Sequence, residues 1–200
     1  MLSTECLVDN KKLLTGRITG EDEWARLAMG VASLSQAKIY IDDDATLSVA
    51  DINAKCRRIK DLGLVIIDYL QLMTSAGGPA KSNENRQQVV SDMSRSLKLM
   101  AKELNVPVLC MSQLSRANEG RAAGQRRPML SDLRESGAIE QDADIVMFIH
   151  RESYYDDDTE NPNIAECIIA KNRHGETGKV ELKWMPEFTS FGTIETRYGD

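Results

Sequence analysis

No run of eighteen apolar residues occurs in this 200-residue sequence and no charged-then-apolar leader opens it, so neither a membrane span nor a secretion signal is expected. Cysteine is sparse and unpatterned. Cys6, Cys56, Cys110 and Cys167 contain no C-x-x-C and have no ligand-like histidine nearby, which argues against a zinc site and for reduced, cytosolic (cytoplasmic) core thiols. Excess positive charge is also missing: the net charge of −6 argues against a generally basic nucleic-acid coat. There is no internal repeat and no low-complexity segment. What remains is an ordinary globular composition, 42% hydrophobic and 28% charged, expected to form one domain that buries roughly two thirds of its unfolded surface.

The most informative stretch is Leu64-Val65-Ile66-Ile67-Asp68-Tyr69-Leu70-Gln71-Leu72-Met73, in which a short apolar run ends on a carboxylate. Such a run reads as a strand covered on both faces, with Asp68 at the carboxyl end where ligands collect in open α/β sheets. A strand-end acid of this kind is a candidate Mg2+ holder in phosphoryl-transfer ATPases, although the same pattern also arises by chance. Val106 to Met111 reads as a second buried strand and ends on Ser112-Gln113, placing two polar tips on one edge. A third, Asp144 to His150, ends on His150-Arg151.

Around these strands the helical signals alternate. Residues 1–18 open in mid-pattern, as a helix entered part way along, and the start reads as a truncation. Thr19 reads as the cap of a helix whose face is Trp24, Leu27, Ala28, Val31 and Leu34. Ile39-Tyr40-Ile41 is expected to be a short strand, and Asp42-Asp43-Asp44 a solvated loop rather than a metal site. Ser48 to Asp51 repeats the capping pattern ahead of a helix that turns Ile52, Cys56 and Ile59 inward. Thr74 to Asn83 is a small, polar, glycine-containing loop. The longest helix follows, with Val89, Val90, Met93, Leu97, Met100 and Leu104 on its core face. Its methionines read as packing rather than as a cofactor box.

Between Gln113 and Gly137 lie five arginines and three acids, and Leu114 to Leu130 has the composition of a flexible basic loop or a solvated linker, without aromatic platforms. Ala165 to Lys171 and Lys179 to Trp184 read as a hairpin at the sheet edge, followed by a weak edge strand through Phe188, Phe191 and Ile194. His150 and His174 read as surface or supporting residues.

Five ordered motifs carry a resemblance. The Leu64 to Met73 run, Ser82 to Gln88, Met111 to Arg116, Ser131 to Gly137 with Glu140 to Asp144, and Lys171-Asn172-Arg173 with Gly175 follow one another as in the motor domain of the DnaB family of bacterial replicative DNA helicases. The resemblance covers essentially the whole chain. It implies a RecA-like α/β domain: a mostly parallel central sheet flanked by helices, with an antiparallel hairpin at the C-terminal edge. It further implies an ATPase that assembles as a ring, usually a hexamer, around single-stranded DNA and moves 5′ to 3′, meeting a helicase loader and primase.

By the same resemblance, Asp68 orients Mg2+ through water, and Gln113 senses the γ-phosphate and links it to the DNA loops. Arg173 is the arginine finger and Lys171 its companion, both acting on ATP held by the neighbouring subunit. The Arg134, Glu135 and Gly137 segment holds the DNA backbone, with the Thr74 to Asn83 loop as its helper. Arg116, Arg126 and Arg127 join Arg134 as candidate DNA contacts, and Arg121 would add to the salt dependence of binding.

One departure limits activity. The sequence holds no G-x-x-x-x-G-K-[ST], so residues 1–200 read as a partial motor domain in which the first strand, the phosphate loop and the water-polarising acid would lie upstream. The chain alone is therefore expected to be inactive, with a low and broad thermal transition. Gly175-Glu176-Thr177-Gly178-Lys179-Val180 is a false phosphate loop, because it is too short, lacks the hydroxyl and runs into a strand. Two alternatives stay open: a non-hydrolysing RecA-fold module that binds single-stranded DNA or a helicase ring, and a RecA-type recombinase or clock ATPase. The Arg134-Glu135-Ser136-Gly137 stretch favours the helicase branch over the latter.

Overall fold

The computed structural model describes residues 1–44, 46–73, 83–115, 120–121, 126–133, 137–156 and 158–194, and residues 83–86 as backbone. The elements in chain order are α1 (Leu2–Cys6), α2 (Asn10–Thr15), α3 (Glu21–Gln36), α4 (Val49–Cys56), β1 (Val65–Ile67), α5 (Asn83–Leu104), β2 (Val108–Cys110), α6 (Gly137–Asp142), β3 (Ile145–His150), β4 (Ile164–Asn172), β5 (Gly178–Met185) and β6 (Ser190–Thr193). Strands β1 and β2 form a parallel pair, and the other four form a sheet in the order β3-β4-β5-β6. The chain divides into two compact units. One comprises Met1–Asp42, Ile149–Ile168 and Lys179–Asp200, the other Asp43–Phe148 and Ile169–Gly178.

In the first unit the opening residues form two short helices instead of one. Leu7 ends α1 in the left-handed region, and Asp9 then caps α2 by accepting hydrogen bonds from the backbone N–H of Lys11 (2.6 Å) and Lys12 (3.3 Å). Gly16, at φ +68°, closes α2 where a side chain would be strained. Helix α3 starts after Gly20 rather than at a Thr19 cap, with Glu21, Asp22 and Glu23 in its first turn as the dipole favours.

The expected inward face of α3 holds only in part, with Leu27 and Leu34 half-buried and Ala28 exposed. Trp24 and Val31 are exposed, and α3 packs on α1 through Gly30, where an added Cβ would collide with Cys6 Sγ. A close helix approach needs a small residue at the contact, and this decides the face over hydrophobicity. Elsewhere in this unit, β6 pairs antiparallel with β5 in a register that sets Trp184 opposite Phe191, their rings 4.9 Å apart, so the expected edge strand forms.

The second unit holds the core. Val90, Met93, Leu97 and Met100 of α5 pack with Cys56, Val65, Ile67, Leu70 and Val106, while Val89 and Leu104 lie at its margin, so the methionine stripe is core packing as expected. Helix α4 is closed at its start by a reciprocal capping box between Ser48 and Asp51.

Two strand expectations change. Ile39 to Ile41 forms no strand, and all three residues are exposed; no ladder partner for them exists among the described residues. The expected two-face cover also fails at β1 and β3, which are buried on one face only. Val65 and Ile67 are buried but Ile66 is 59% exposed, and β3 alternates in the same way, with Val146 and Phe148 inside and Ile145 and Met147 outside. An unbroken apolar run thus marks a strand without showing that both its faces are covered.

Candidate functional site

The parallel register Val65↔Val108, Ile66↔Leu109 and Ile67↔Cys110 puts the carboxyl ends of β1 and β2 side by side. Beyond the ladder, Met111 N donates to Ile67 O and Leu70 N to Met111 O, both at 2.9 Å, so the two chains leave the sheet together. Asp68 and Gln113 therefore share one edge, as the polar strand tips lead one to expect. The Asp68–Tyr69 peptide at this edge is cis.

Gln71 ties the two tips: its Nε2 donates to Ser112 Oγ (3.0 Å) and its Oε1 accepts from Gln113 N (3.2 Å). The Asp68 carboxylate is exposed and has no hydrogen-bond or ion-pair partner among the described residues. An unpaired hard anion on a fixed strand end is a donor suited to Mg2+ or its water shell. Nearby, burial pushes the Cys110 thiol up to about 11, an inert core group.

A second cluster forms where α6 meets the root of the β4–β5 loop. Lys171 Nζ donates to the carbonyl oxygens of Glu140, Gln141 (3.2 Å) and Ala143 (2.7 Å), so an ammonium closes the C-terminal end of α6. Arg173 N donates to Asp144 O at 2.8 Å, and its Nη1 lies 3.4 Å from Asp144 Oδ1. The same carboxylate pairs through Oδ2 with Lys98 of α5. The hydrogen bond from Lys98, followed by the charges of Lys98, Arg173 and His174, holds the Asp144 carboxyl below the usual carboxylate range. The backbone at Arg173 is thus pinned while its guanidinium is half exposed. No hydrogen bond or ion pair among the described residues joins this cluster to Asp68 or Gln113.

The described residues of the basic segment, 120–121 and 126–133, are tied together by hydrogen bonds. Arg121 forms a two-pronged pair with Asp132, a carboxylate only 2% exposed: Nη1 donates to Oδ2 at 2.9 Å and Nη2 donates to Oδ1. Met129 N also donates to Asp132 Oδ2 (2.9 Å), Ser115 N to Asp132 O (2.8 Å), and Arg126 Nε to Arg121 O (3.2 Å). Arg121 is therefore engaged within the chain.

Gly137 is the first residue of α6, and Arg126 and Arg127 flank the Arg121–Asp132 anchor. Arg116, Arg134, Glu135 and the Thr74 to Ser82 part of the small polar loop lie outside the described residues. Lys179, in the false phosphate loop, lies in β5 and pairs with Glu166 (2.7 Å) and Glu181 (3.3 Å).

Three residues went unassigned from sequence: Gln71, Asp132 and Asp144. Gln71 had one signal, a lone amide in the apolar run Leu70 to Met73. The two aspartates lie within the motifs that carry the resemblance, but nothing in the local pattern pairs Asp132 with Arg121 or Asp144 with Lys98 and Arg173. Among the described residues, no group of three or more His, Cys, Asp or Glu could hold a metal ion. No helix among them is long and apolar enough to cross a membrane.

The sequence matches the family described as DnaB-like helicase C terminal domain over residues 1–193. It is 52% identical to the replicative DNA helicase DnaB of Geobacillus stearothermophilus over 100% of this chain and 43% of that protein. It is 51% identical to the replicative DNA helicase DnaC of Bacillus subtilis with the same coverage. The chain thus spans less than half the length of these relatives.

Among solved structures, one described as an ATPase domain superposes with a TM-score of 0.86 at 43% identity, covering 97% of this chain and 68% of that one. A DnaB-like replicative helicase, described with its interactions with primase, gives a TM-score of 0.87 at 43% identity, covering 97% and 47%. These neighbours carry the expected fold class even though the described strands form two sheets here. With its strand-edge carboxylate, its pinned arginine and these matches over nearly all its length, the chain belongs to the DnaB-like helicase C-terminal domain family.

Proposed function

We propose that the intact protein is an ATP-dependent replicative DNA helicase, a ring that encircles single-stranded DNA, moves 5′ to 3′ and unwinds duplex at the fork, and that these 200 residues supply part of each nucleotide site. The observation that carries this reading is the shared edge of β1 and β2, where Asp68 and Gln113 are held in register by Gln71. Mg2+-ATP bound there would supply the phosphoryl group and the charge that Asp68 offsets through water. Gln113 sits one residue from the Gln71–Ser112 bond, so a change at the phosphate reaches β2 and the segment beyond it.

Arg173 is proposed to serve ATP on a neighbouring subunit, with Lys171 fixing the root of its loop as companion. That no hydrogen bond or ion pair among the described residues joins the two clusters accords with this division, and a half-exposed guanidinium on a fixed backbone suits charge developing on phosphoryl oxygens. Arg116, Arg126, Arg127, Arg134, Glu135 and Gly137 are proposed to line the DNA path, contacting phosphates without reading bases. Helicase loader and primase are proposed partners of the whole protein. With no G-x-x-x-x-G-K-[ST] in the sequence, the chain alone is proposed to turn over no ATP.

The test is ATP turnover by full-length rings. Asp68→Ala and Arg173→Ala are each expected to abolish it. Mixing the two inactive proteins should restore turnover at about one quarter of the interfaces, since random assembly pairs an intact Asp68 site with an intact Arg173 neighbour that often. No recovery on mixing, with mixed rings shown to form, would refute action across the interface. Turnover by the 200-residue chain itself would refute its dependence on a separate phosphate loop.

A further inference from the structure

We propose that Asp144 is a positioning residue that parks the Arg173 guanidinium on its own subunit, with Lys98 of α5 competing for the same carboxylate. The inference rests on the reading of Arg173 given above and adds a device that governs its availability. Arg173 is fixed at its backbone by the bond from its N–H to Asp144 O, and the neighbouring Lys171 is seated on the end of α6. Only the side chain is left to move.

That side chain reaches Asp144 Oδ1 at 3.4 Å and remains 50% exposed, the geometry of a loose, reversible contact. Lys98 holds the other oxygen more closely and is the more buried of the two cations. One carboxylate thus faces two cations, one anchored in the core helix and one at the root of the β4–β5 loop. The tighter Lys98 binds, the less the carboxylate attracts Arg173. Because α6 runs from Gly137 to Asp142, immediately before Asp144, any shift of α6 also moves the parking site.

The arrangement gives Asp144 and Lys98 opposite effects. Asp144→Asn removes the charge that parks Arg173 while keeping the main-chain bond and a side-chain acceptor. Lys98→Met leaves the whole charge to Arg173. A partly exposed ion pair changes such a population by about 1.5- to 5-fold. A guanidinium that acts on the transition state changes kcat in proportion to the fraction released and leaves KM unmoved.

The experiment measures steady-state ATPase of full-length rings with Arg173→Ala, Asp144→Asn, Lys98→Met and the Lys98→Met/Asp144→Asn double variant, each checked for ring formation and melting temperature. The expected result is a kcat raised about 1.5- to 5-fold in Asp144→Asn, lowered to a similar extent in Lys98→Met, and raised again in the double variant, with KM unchanged throughout. A purely structural role for the cluster would lower both single variants. If Asp144→Asn and Lys98→Met move kcat in the same direction while Arg173→Ala abolishes turnover, parking is refuted and the finger reading stands. If Arg173→Ala turns over ATP like the unaltered protein, the finger reading itself falls and the parking proposal with it.

Discussion

Removing the buried carboxylate of Asp132 tests whether the basic segment is anchored or a solvated linker. Asp132 is 2% exposed and accepts two guanidinium hydrogen bonds from Arg121 and one from Met129 N, so Asp132→Ala strands three donors at once. Breaking a fully buried pair costs about 3–5 kcal/mol. The Arg121 side chain keeps 24% exposure, however, and can turn toward water, which lowers the expected cost to about 2–3 kcal/mol, of which the Met129 N–H accounts for about 1 kcal/mol.

Urea unfolding of the 200-residue chain at about 25 °C measures this, and a cycle with Arg121→Met isolates a coupling of about 1.5–3 kcal/mol. A DNA readout separates anchoring from DNA contact. In full-length protein at varied salt, Arg121→Met should leave the slope of single-stranded DNA affinity unchanged, whereas Arg134→Ala should reduce it by about 0.7. Costs below about 0.5 kcal/mol for both single variants, additive in the double, would refute the anchor. A reduced slope in Arg121→Met would return Arg121 to the DNA contacts.

Two further outcomes concern the core of the same unit. Met100, among the most deeply buried side chains, should cost about 2–5 kcal/mol on substitution by alanine, read as a lower urea midpoint at unchanged m-value. Cys110, raised from 9.0 to about 11 by burial, stays protonated in the folded chain while the unfolded thiol ionises. Its contribution is therefore present below pH 9.0 and lost as the pH rises toward about 11. Comparing urea stability at about pH 8 and about pH 10.5 in the parent and in Cys110→Ala should show a smaller alkaline loss in the variant. Equal losses would show that the thiol is not perturbed.

The parts of the protein set by local rules were legible in the sequence. The period of Val89, Val90, Met93, Leu97, Met100 and Leu104 fixed the core face of α5, because helical spacing and burial are read from one segment alone. Ser48 and Asp51 marked the start of α4, since a cap needs only residues three apart. The β1 and β2 runs ended in polar tips, and parallel pairing brought those tips to one edge. Asp9 starts and Gly16 stops α2 by the same local chemistry, yet a single helix is the expectation there when the apolar pattern is followed past them.

What sequence pattern left open depends on groups that meet only after folding. The face α3 buries was decided by Gly30 against Cys6 rather than by its larger apolar residues, because distance of approach outweighed hydrophobicity there. Ile39 to Ile41 has strand chemistry but no ladder partner among the described residues, and a strand is stabilised by its neighbour rather than by its own side chains. Arg121 looked like one more cation of a basic loop until the fold supplied Asp132, and Arg173 like a lone finger until it supplied Asp144. Order and chemistry along the chain were enough to say which residues carry charge, where the main helix and the central strands run, and that Asp68 and Gln113 stand at strand ends. Which of those charges neutralise one another was settled by folding, because an ion pair depends on separation in space, and residues far apart in sequence come close only in the folded chain.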